Sequence, residues 1–69
     1  MSKGPTYTIT TDLKAWRRAK MLTQDEAARK ARISLRSWNG AERGQAVGLP
    51  VIRGIARVMG VKPGEITAA

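Results

Sequence analysis

Two helix-start signals lie eleven residues apart in the middle of the chain, and this spacing limits how the chain can fold. In TQDE, the Thr23 hydroxyl can accept from the amide of Glu26, whose carboxylate can accept from the amide of Thr23. Ser34 is the next residue suited to cap a helix N-terminus. A helix that starts at the first signal therefore has about nine residues. We predict two short helices, over 23–31 and 34–43, joined by a tight turn.

Apolar spacing and capping residues predict two more helices. In the first, apolar residues recur at every third position and form one stripe: Leu13, Trp16 and Ala19. In the last, Pro50 occupies the first turn and Gly60 follows the end, and one further turn comes after it. We predict no strands. The predicted fold is all-α, a compact bundle of four to five short helices over residues 11–69, preceded by a flexible arm over residues 1–10.

The composition favours a polyanionic partner and argues against an enzyme. Thirteen Lys and Arg residues against five Asp and Glu residues give a formal net charge of +8, which attracts nucleic acid, although such charge also keeps a small domain soluble. The absence of His and Cys removes the usual metal ligands and nucleophile–base pairs, so we expect no metal, cofactor or catalytic site. No apolar run approaches the roughly 20 residues that span a bilayer, and we expect a cytoplasmic protein.

These motifs, in this order, resemble the phage-repressor and Cro type (Xre-like) of helix-turn-helix DNA-binding domain. The resemblance runs from Leu13 to Ile66 through LKAWRRAKMLTQDEAARKARIS, then ERG, then IARVMGVKPGEI. It includes one set of residues at four-residue spacing: Ser34, Trp38 and Glu42. The resemblance implies a lambda-repressor-like fold in which the recognition helix, residues 34–43, enters the major groove of double-stranded DNA.

The resemblance also assigns base-reading positions on the recognition helix. Five residues match its solvent-facing positions: Leu35, Arg36, Ser37, Asn39 and Gly40. Arg36 is the first choice for specificity because a guanidinium can make two hydrogen bonds to guanine, and its alternatives are a phosphate contact or no contact. Trp38 and Ala41 match inward-facing positions, and the helical periodicity agrees with this division.

Other matched positions imply phosphate contacts and a brace. Four residues match phosphate-contact positions: Thr23, Gln24, Ser34 and Arg43. Their alternative roles are structural, as caps for Thr23 and Ser34, and as a cation at a helix C-terminus for Arg43. Arg17 and Glu42 stand where relatives form a partly buried ion pair that braces the first helix against the recognition helix.

The chain departs from the family pattern at three positions. Met21 and Arg32 stand where relatives usually have glycine in a left-handed turn, so we expect these turns to be shaped differently. Gly40 places no side chain on the recognition helix and lowers its helix propensity. We expect the recognition helix to read few bases and to become fully ordered only on DNA.

The last helix has an apolar arc of roughly 180° on a helical wheel, wider than contact with one core requires. The excess edge predicts a homodimer face made by four residues: Val51, Ile55, Val58 and Val61. The alternative is that the C-terminal turn around Ile66 covers this edge. A dimer, at least on DNA, would place two recognition helices about 34 Å apart on a pseudo-palindromic operator.

The sequence therefore favours a nucleoid-associated transcriptional regulator that represses by occluding a promoter. Its small size resembles stand-alone Cro-like regulators of phages and mobile elements. An antitoxin that binds both operator DNA and a toxin protein is the alternative, and an interaction module without operator binding is a third function. An enzyme is the least expected.

Overall fold

The computed structural model describes residues 5–67, which form four helices, a pair of short strands and one 3₁₀ turn. The predicted bundle of four to five short helices is confirmed. The elements follow in the order β1 (Thr6–Tyr7), α1 (Leu13–Ala19), α2 (Gln24–Ala31), α3 (Leu35–Glu42), β2 (Val47–Gly48), α4 (Leu49–Met59) and the 3₁₀ turn (Pro63–Glu65). None of these helices is both long enough and apolar enough to cross a membrane.

Both helix-start signals lie where the sequence predicts them. The Glu26 amide donates to Thr23 Oγ1 at 3.1 Å, and the Thr23 amide donates to Glu26 Oε1 at 2.9 Å. The second of these bonds holds the pKa of Glu26 below its usual value. At α3, Ser34 Oγ accepts from the Ser37 amide at 3.0 Å. These contacts satisfy amides that have no partner within the helix, and they fix both starts of the α2–α3 unit.

The two turns that lack glycine nevertheless adopt the left-handed conformation, so the expectation of differently shaped turns is wrong. Met21 has φ 57° and Arg32 has φ 58°. After α2, the amide of Ile33 donates to the Ala28 carbonyl at 3.0 Å, a bond that needs this reversal of the chain. Each non-glycine residue in this conformation costs roughly 1 kcal/mol or more, which packing of the short helices must offset.

The core is built around Trp38, whose side chain is completely buried. It fills the volume left by the small residues of α2, all buried: Ala27, Ala28 and Ala31. Trp16 of α1 packs against the same cluster, and its ring centroid lies 6.4 Å from that of Trp38. The larger aliphatic residues of the core are Ile9, Leu13, Ile52, Ile55 and Ile66.

Gly54 allows α4 to approach the end of α2. A methyl group at this position would lie 2.4 Å from the carbonyl oxygen of Ala31, which is well inside van der Waals contact. Arg57, one turn further along α4, donates to the same carbonyl at 3.1 Å. Glycine is therefore required here for packing, and α4 serves as the platform that supports the α2–α3 unit.

The prediction of a flexible arm over residues 1–10 is wrong for its described part, residues 5–10. Thr6–Tyr7 pairs antiparallel with Val47–Gly48. Ile9 is buried, and the amide of the next residue donates to the Ile66 carbonyl at 2.8 Å. A run of threonines with one tyrosine and one isoleucine favours extended chain, but its partners come from the far end of the sequence. Residues 1–4 lie outside the described residues.

The predicted dimer face also needs a correction, because Ile55 has no exposed surface in the single chain. Its side chain belongs to the core, so it cannot contact a second copy. Val51, Val58 and Val61 are half-buried and pack against that core. The wide apolar arc of α4 arises because α2, β1, β2 and the 3₁₀ turn contact this helix from several sides.

Candidate nucleic-acid interface

The α2–α3 unit presents one edge of α3 to solvent. Trp38 and Ala41 of α3 point into the core, whereas Arg36 is exposed and Leu35 keeps 45% of its surface accessible. Leu35 is one of two large apolar side chains that are exposed among residues 5–67. Side by side, a leucine can contact an apolar group of a partner, such as a thymine methyl, and an arginine a polar one.

A recess of about 440 Å³ runs along this edge. It is lined by six residues: Leu35, Arg36, Asn39, Gly40, Arg43 and Gln45. All of them except Gln45 match positions that the sequence assigned to DNA contacts, and Arg36 and Arg43 contribute two guanidinium groups. Planar guanidinium and amide groups suit the oxygen and nitrogen atoms of phosphates and base edges.

Two of the predicted base-reading positions differ from expectation. Gly40 is buried rather than solvent-facing, because the side chain of Gln45 lies over it: a methyl group at position 40 would be 3.0 Å from Gln45 Oε1. The prediction that Gly40 faces solvent is therefore wrong. Ser37 is half-buried, and its hydroxyl accepts from the Ser34 hydroxyl at 2.9 Å. Both serines thus support the first turn of α3.

The predicted phosphate contacts lie at the ends of α2 and α3. Thr23 and Ser34 are exposed caps, and Arg43 is exposed at the C-terminal end of α3. Gln24 is half-buried, and its Nε2 donates to Glu42 Oε1 at 3.1 Å. This bond commits the Gln24 side chain to the protein interior, so its structural role is to link the start of α2 to the end of α3.

Glu42 is the centre of a hydrogen-bond network that holds α3 in place. Arg17 of α1 forms an ion pair with it through Nε, and Arg17 Nη2 donates to the other carboxylate oxygen at 3.3 Å. The indole Nε1 of Trp38 donates to the same carboxylate. Arg17 Nη1 also donates to the Leu22 carbonyl at 2.8 Å, which ties α1 to the turn before α2. One carboxylate thus connects three helices.

The electrostatics of this network favour the charged form of Glu42. Its side chain is only 4% exposed, and burial alone would raise its pKa. Hydrogen bonds from Arg17, Trp38 and Gln24 outweigh burial and hold the pKa of Glu42 below its usual value. Because the acceptor is ionised, these bonds are stronger than neutral ones, and they rigidify the helix that carries the exposed edge.

The sequence analysis missed Gln45 as a member of the exposed edge. It also missed Gln24 and Trp38 as donors to Glu42. The spacing of Trp38 and Glu42, one helical turn apart, carries a signal for their contact. Gln45 has a weaker signal, because it directly follows Gly44, the predicted helix stop, and such a residue returns towards the last turn of the helix.

One comparison with known proteins agrees with this geometry. A family model described as a helix-turn-helix domain matches residues 10–69, which includes all four helices. No curated protein and no solved structure matches the chain. In the residues that the structure describes, no three His, Cys, Asp or Glu side chains gather to hold a metal ion.

Proposed function

We propose that this chain, which belongs to the helix-turn-helix domain family, is a sequence-specific regulator of transcription. It binds double-stranded DNA and represses by occluding a promoter. The observation that carries this proposal is the exposed edge of α3. Leu35, Arg36 and Arg43 face outwards there, while the Glu42 network and the buried Trp38 fix the opposite side of the helix.

The size of α3 suits the major groove. With its side chains an α-helix is about 10–12 Å across, similar to the roughly 12 Å width of the groove, so α3 can lie in the groove with its exposed edge towards the base edges. In this arrangement Arg36 bonds guanine O6 and N7, Asn39 bonds adenine, and Leu35 contacts a thymine methyl. Ser37, half-buried beside its cap, reaches a base or the backbone only at the start of the helix.

Phosphate contacts would flank the groove. The starts of α2 and α3, at Thr23 and Ser34, direct amides and a partial positive charge outwards, which suits a phosphate. Arg43 supplies a full positive charge at the other end of α3. Gln24 lies at the start of α2, where its main-chain amide can contribute to the phosphate contact, although its side-chain amide is bonded to Glu42.

Arginine substitutions test the assigned roles. Duplexes are selected from a random pool with the natural protein, with Arg36→Ala and with Arg43→Ala, and their affinities are then measured at several salt concentrations. Arg36→Ala should remove preference at one base position, worth about 1–3 kcal/mol. Arg43→Ala should weaken binding to every sequence and reduce the salt dependence by about one charge. If Arg36→Ala weakens all sequences equally, Arg36 contacts phosphate and its base-reading role is wrong.

A homodimer on a pseudo-palindromic operator would complete the specificity. The half-buried Val51, Val58 and Val61 offer apolar surface for it, without Ile55. Stable interfaces bury about 1,200 Å² or more, and three half-buried valines supply little of that area. We therefore propose that the dimer forms only on DNA. Sedimentation with duplex should show two chains per operator, and one chain per operator at saturation would contradict the dimer.

The size of the chain is compatible with promoter occlusion. The described chain extends 37 Å along its longest axis, close to the roughly 34 Å of one DNA turn. Two copies would cover about two turns and exclude a polymerase from overlapping sequence. Transcription in vitro from a template that carries the selected site should fall as the protein is added. Unchanged or increased transcription at saturating protein would contradict repression.

An antitoxin is the second candidate, and one groove favours it. A groove of about 460 Å³ has an apolar lining from Trp16, Leu22 and Val58, with Lys20 and Lys30 beside it. It involves no residue of α3, so a toxin protein could occupy it while DNA is bound. The test is a toxin gene next to this one. Neutralisation of that toxin by the Arg36→Ala chain would support the second function, and its absence would leave DNA regulation alone.

A further inference from the structure

We propose that Gln45 is a base-reading residue, and that the recess lined by Gln45 and the exposed edge of α3 receives one edge of a base pair. This inference rests on the proposed DNA-binding function. It adds a base-reading residue that lies outside the recognition helix. This residue lies beside Gly40, which has no side chain to contact a base.

The main chain of Gln45 is fixed by the C-terminal cap of α3. Gly44 has φ 81°, and its amide donates to the Ala41 carbonyl at 3.2 Å. The Gln45 amide then donates to the Gly40 carbonyl at 3.0 Å. These two bonds form a Schellman motif, which returns the chain onto the last turn of the helix. Gln45 therefore has a defined position beside α3.

Gly40 makes the space that the Gln45 side chain occupies. A methyl group at position 40 would lie 3.0 Å from Gln45 Oε1 and 3.9 Å from Gln45 Cβ, so alanine would displace the amide. A glycine in the middle of a helix is unfavourable for the helix itself. Glycine at position 40 is explained if the side-chain amide of Gln45, rather than a side chain of α3, contacts the base pair here.

The amide of Gln45 is suited to a base edge. The residue is exposed, and none of the side-chain hydrogen bonds within residues 5–67 involves its amide. Arg36, Asn39 and Arg43 line the same recess of about 440 Å³. A glutamine amide carries one donor group and one acceptor in one plane, which matches N7 and the N6 amino group of adenine. We infer that adenine is the preferred base at this position.

The experiment compares the natural protein with Gln45→Ala, Gln45→Glu and Gln24→Ala in selection from random duplexes, followed by titration of single-base variants of the selected site. Gln45→Ala should lose about 5- to 160-fold discrimination at one base pair and keep the other preferences. Gln45→Glu should favour cytosine at the same position, because a carboxylate accepts from its amino group. Gln24→Ala, the matched control, should weaken binding without changing any base preference.

Gly40→Ala provides a second variant that acts without removing the amide. It should alter preference at the same base pair as Gln45→Ala, and it should remain folded because alanine favours a helix more than glycine does. Unchanged preferences in Gln45→Ala, or an equal loss on all sequences, would overturn the inference while leaving DNA binding intact. A natural protein that selects no sequence would overturn the proposed function as well.

Discussion

The Glu42 network allows a quantitative prediction, because one substitution removes the acceptor of several buried donors. Glu42→Ala leaves Trp38 Nε1 and the Arg17 guanidinium without their carboxylate, at a site where the Arg17 side chain is 12% exposed. Removing one partner of a buried ion pair costs about 3–5 kcal/mol, and water reaching the cavity lowers that loss. We expect the free energy of unfolding to fall by about 3 kcal/mol.

That loss is a large fraction of the whole free energy of unfolding of this chain. Sixty-nine residues are stabilised by roughly 3–10 kcal/mol, and 1 kcal/mol shifts the melting temperature of so small a domain by about 4–8 °C. Glu42→Ala should therefore lower the melting temperature by about 12–24 °C. Urea titration followed by tryptophan fluorescence is a suitable measurement, since Trp38 is completely buried and Trp16 is packed beside it.

An exposed ion pair in the same chain provides the matched control. Asp25 and Arg29 lie 3.0 Å apart on α2, with side chains 54% and 81% exposed. Asp25→Ala should change the free energy of unfolding by less than about 0.5 kcal/mol, because exposed pairs are screened by water and salt. If Glu42→Ala and Asp25→Ala have similar small effects, the reasoning about the network is refuted.

Acid should destabilise the protein by protonating the same carboxylate, that of Glu42. The pKa of Glu42 is lower in the folded chain than its ordinary value of 4.5, so the folded state binds fewer protons than the unfolded state does. The stabilisation is complete above the unfolded pKa and is lost as the pH falls through the folded pKa. Between pH 7 and pH 3 the natural protein should lose more stability than Glu42→Gln, which has no carboxylate to protonate. Equal losses would contradict this assignment.

Three further predictions concern the fold, and thermal melting checks each of them. Gly54→Ala should destabilise by about 1–3 kcal/mol, because its methyl group would meet the Ala31 carbonyl, and unchanged melting would contradict the close helix contact. Met21→Gly and Arg32→Gly should each stabilise by about 0.5–1 kcal/mol by relieving a positive φ, and destabilisation by either would argue against that strain. Thr23→Ala should cost about 1 kcal/mol through loss of the cap, whereas Thr23→Ser should cost little.

Features that depend on neighbours in the sequence could be predicted from it. The capping box of Thr23 and Glu26 and the cap at Ser34 involve contacts three residues apart, so their residue types suffice to locate both helix starts. The inward position of Trp38 follows from helical periodicity. The Arg17–Glu42 pair spans 25 residues, and only resemblance to a family suggested it.

Features that depend on distant contacts could not be predicted in this way. The pairing of Thr6–Tyr7 with Val47–Gly48 joins segments about forty residues apart. Threonines alternate with Tyr7 and Ile9 as in a strand, but this short pattern does not indicate which segment pairs with it. Burial of Ile55 depends on how many elements contact α4, which a helical wheel does not show. The left-handed turns form against local preference because the packing of the short helices requires them.

The central claim is that the exposed edge of α3 recognises specific sequences in double-stranded DNA. Its most direct measurement is a fluorescence-anisotropy titration of a selected duplex and of a shuffled duplex with the same composition, both at about 0.15 M salt. The account predicts that the selected duplex binds about 1,000-fold or more tightly than the shuffled one. Equal affinity for the two duplexes, or no complex with either, would contradict it.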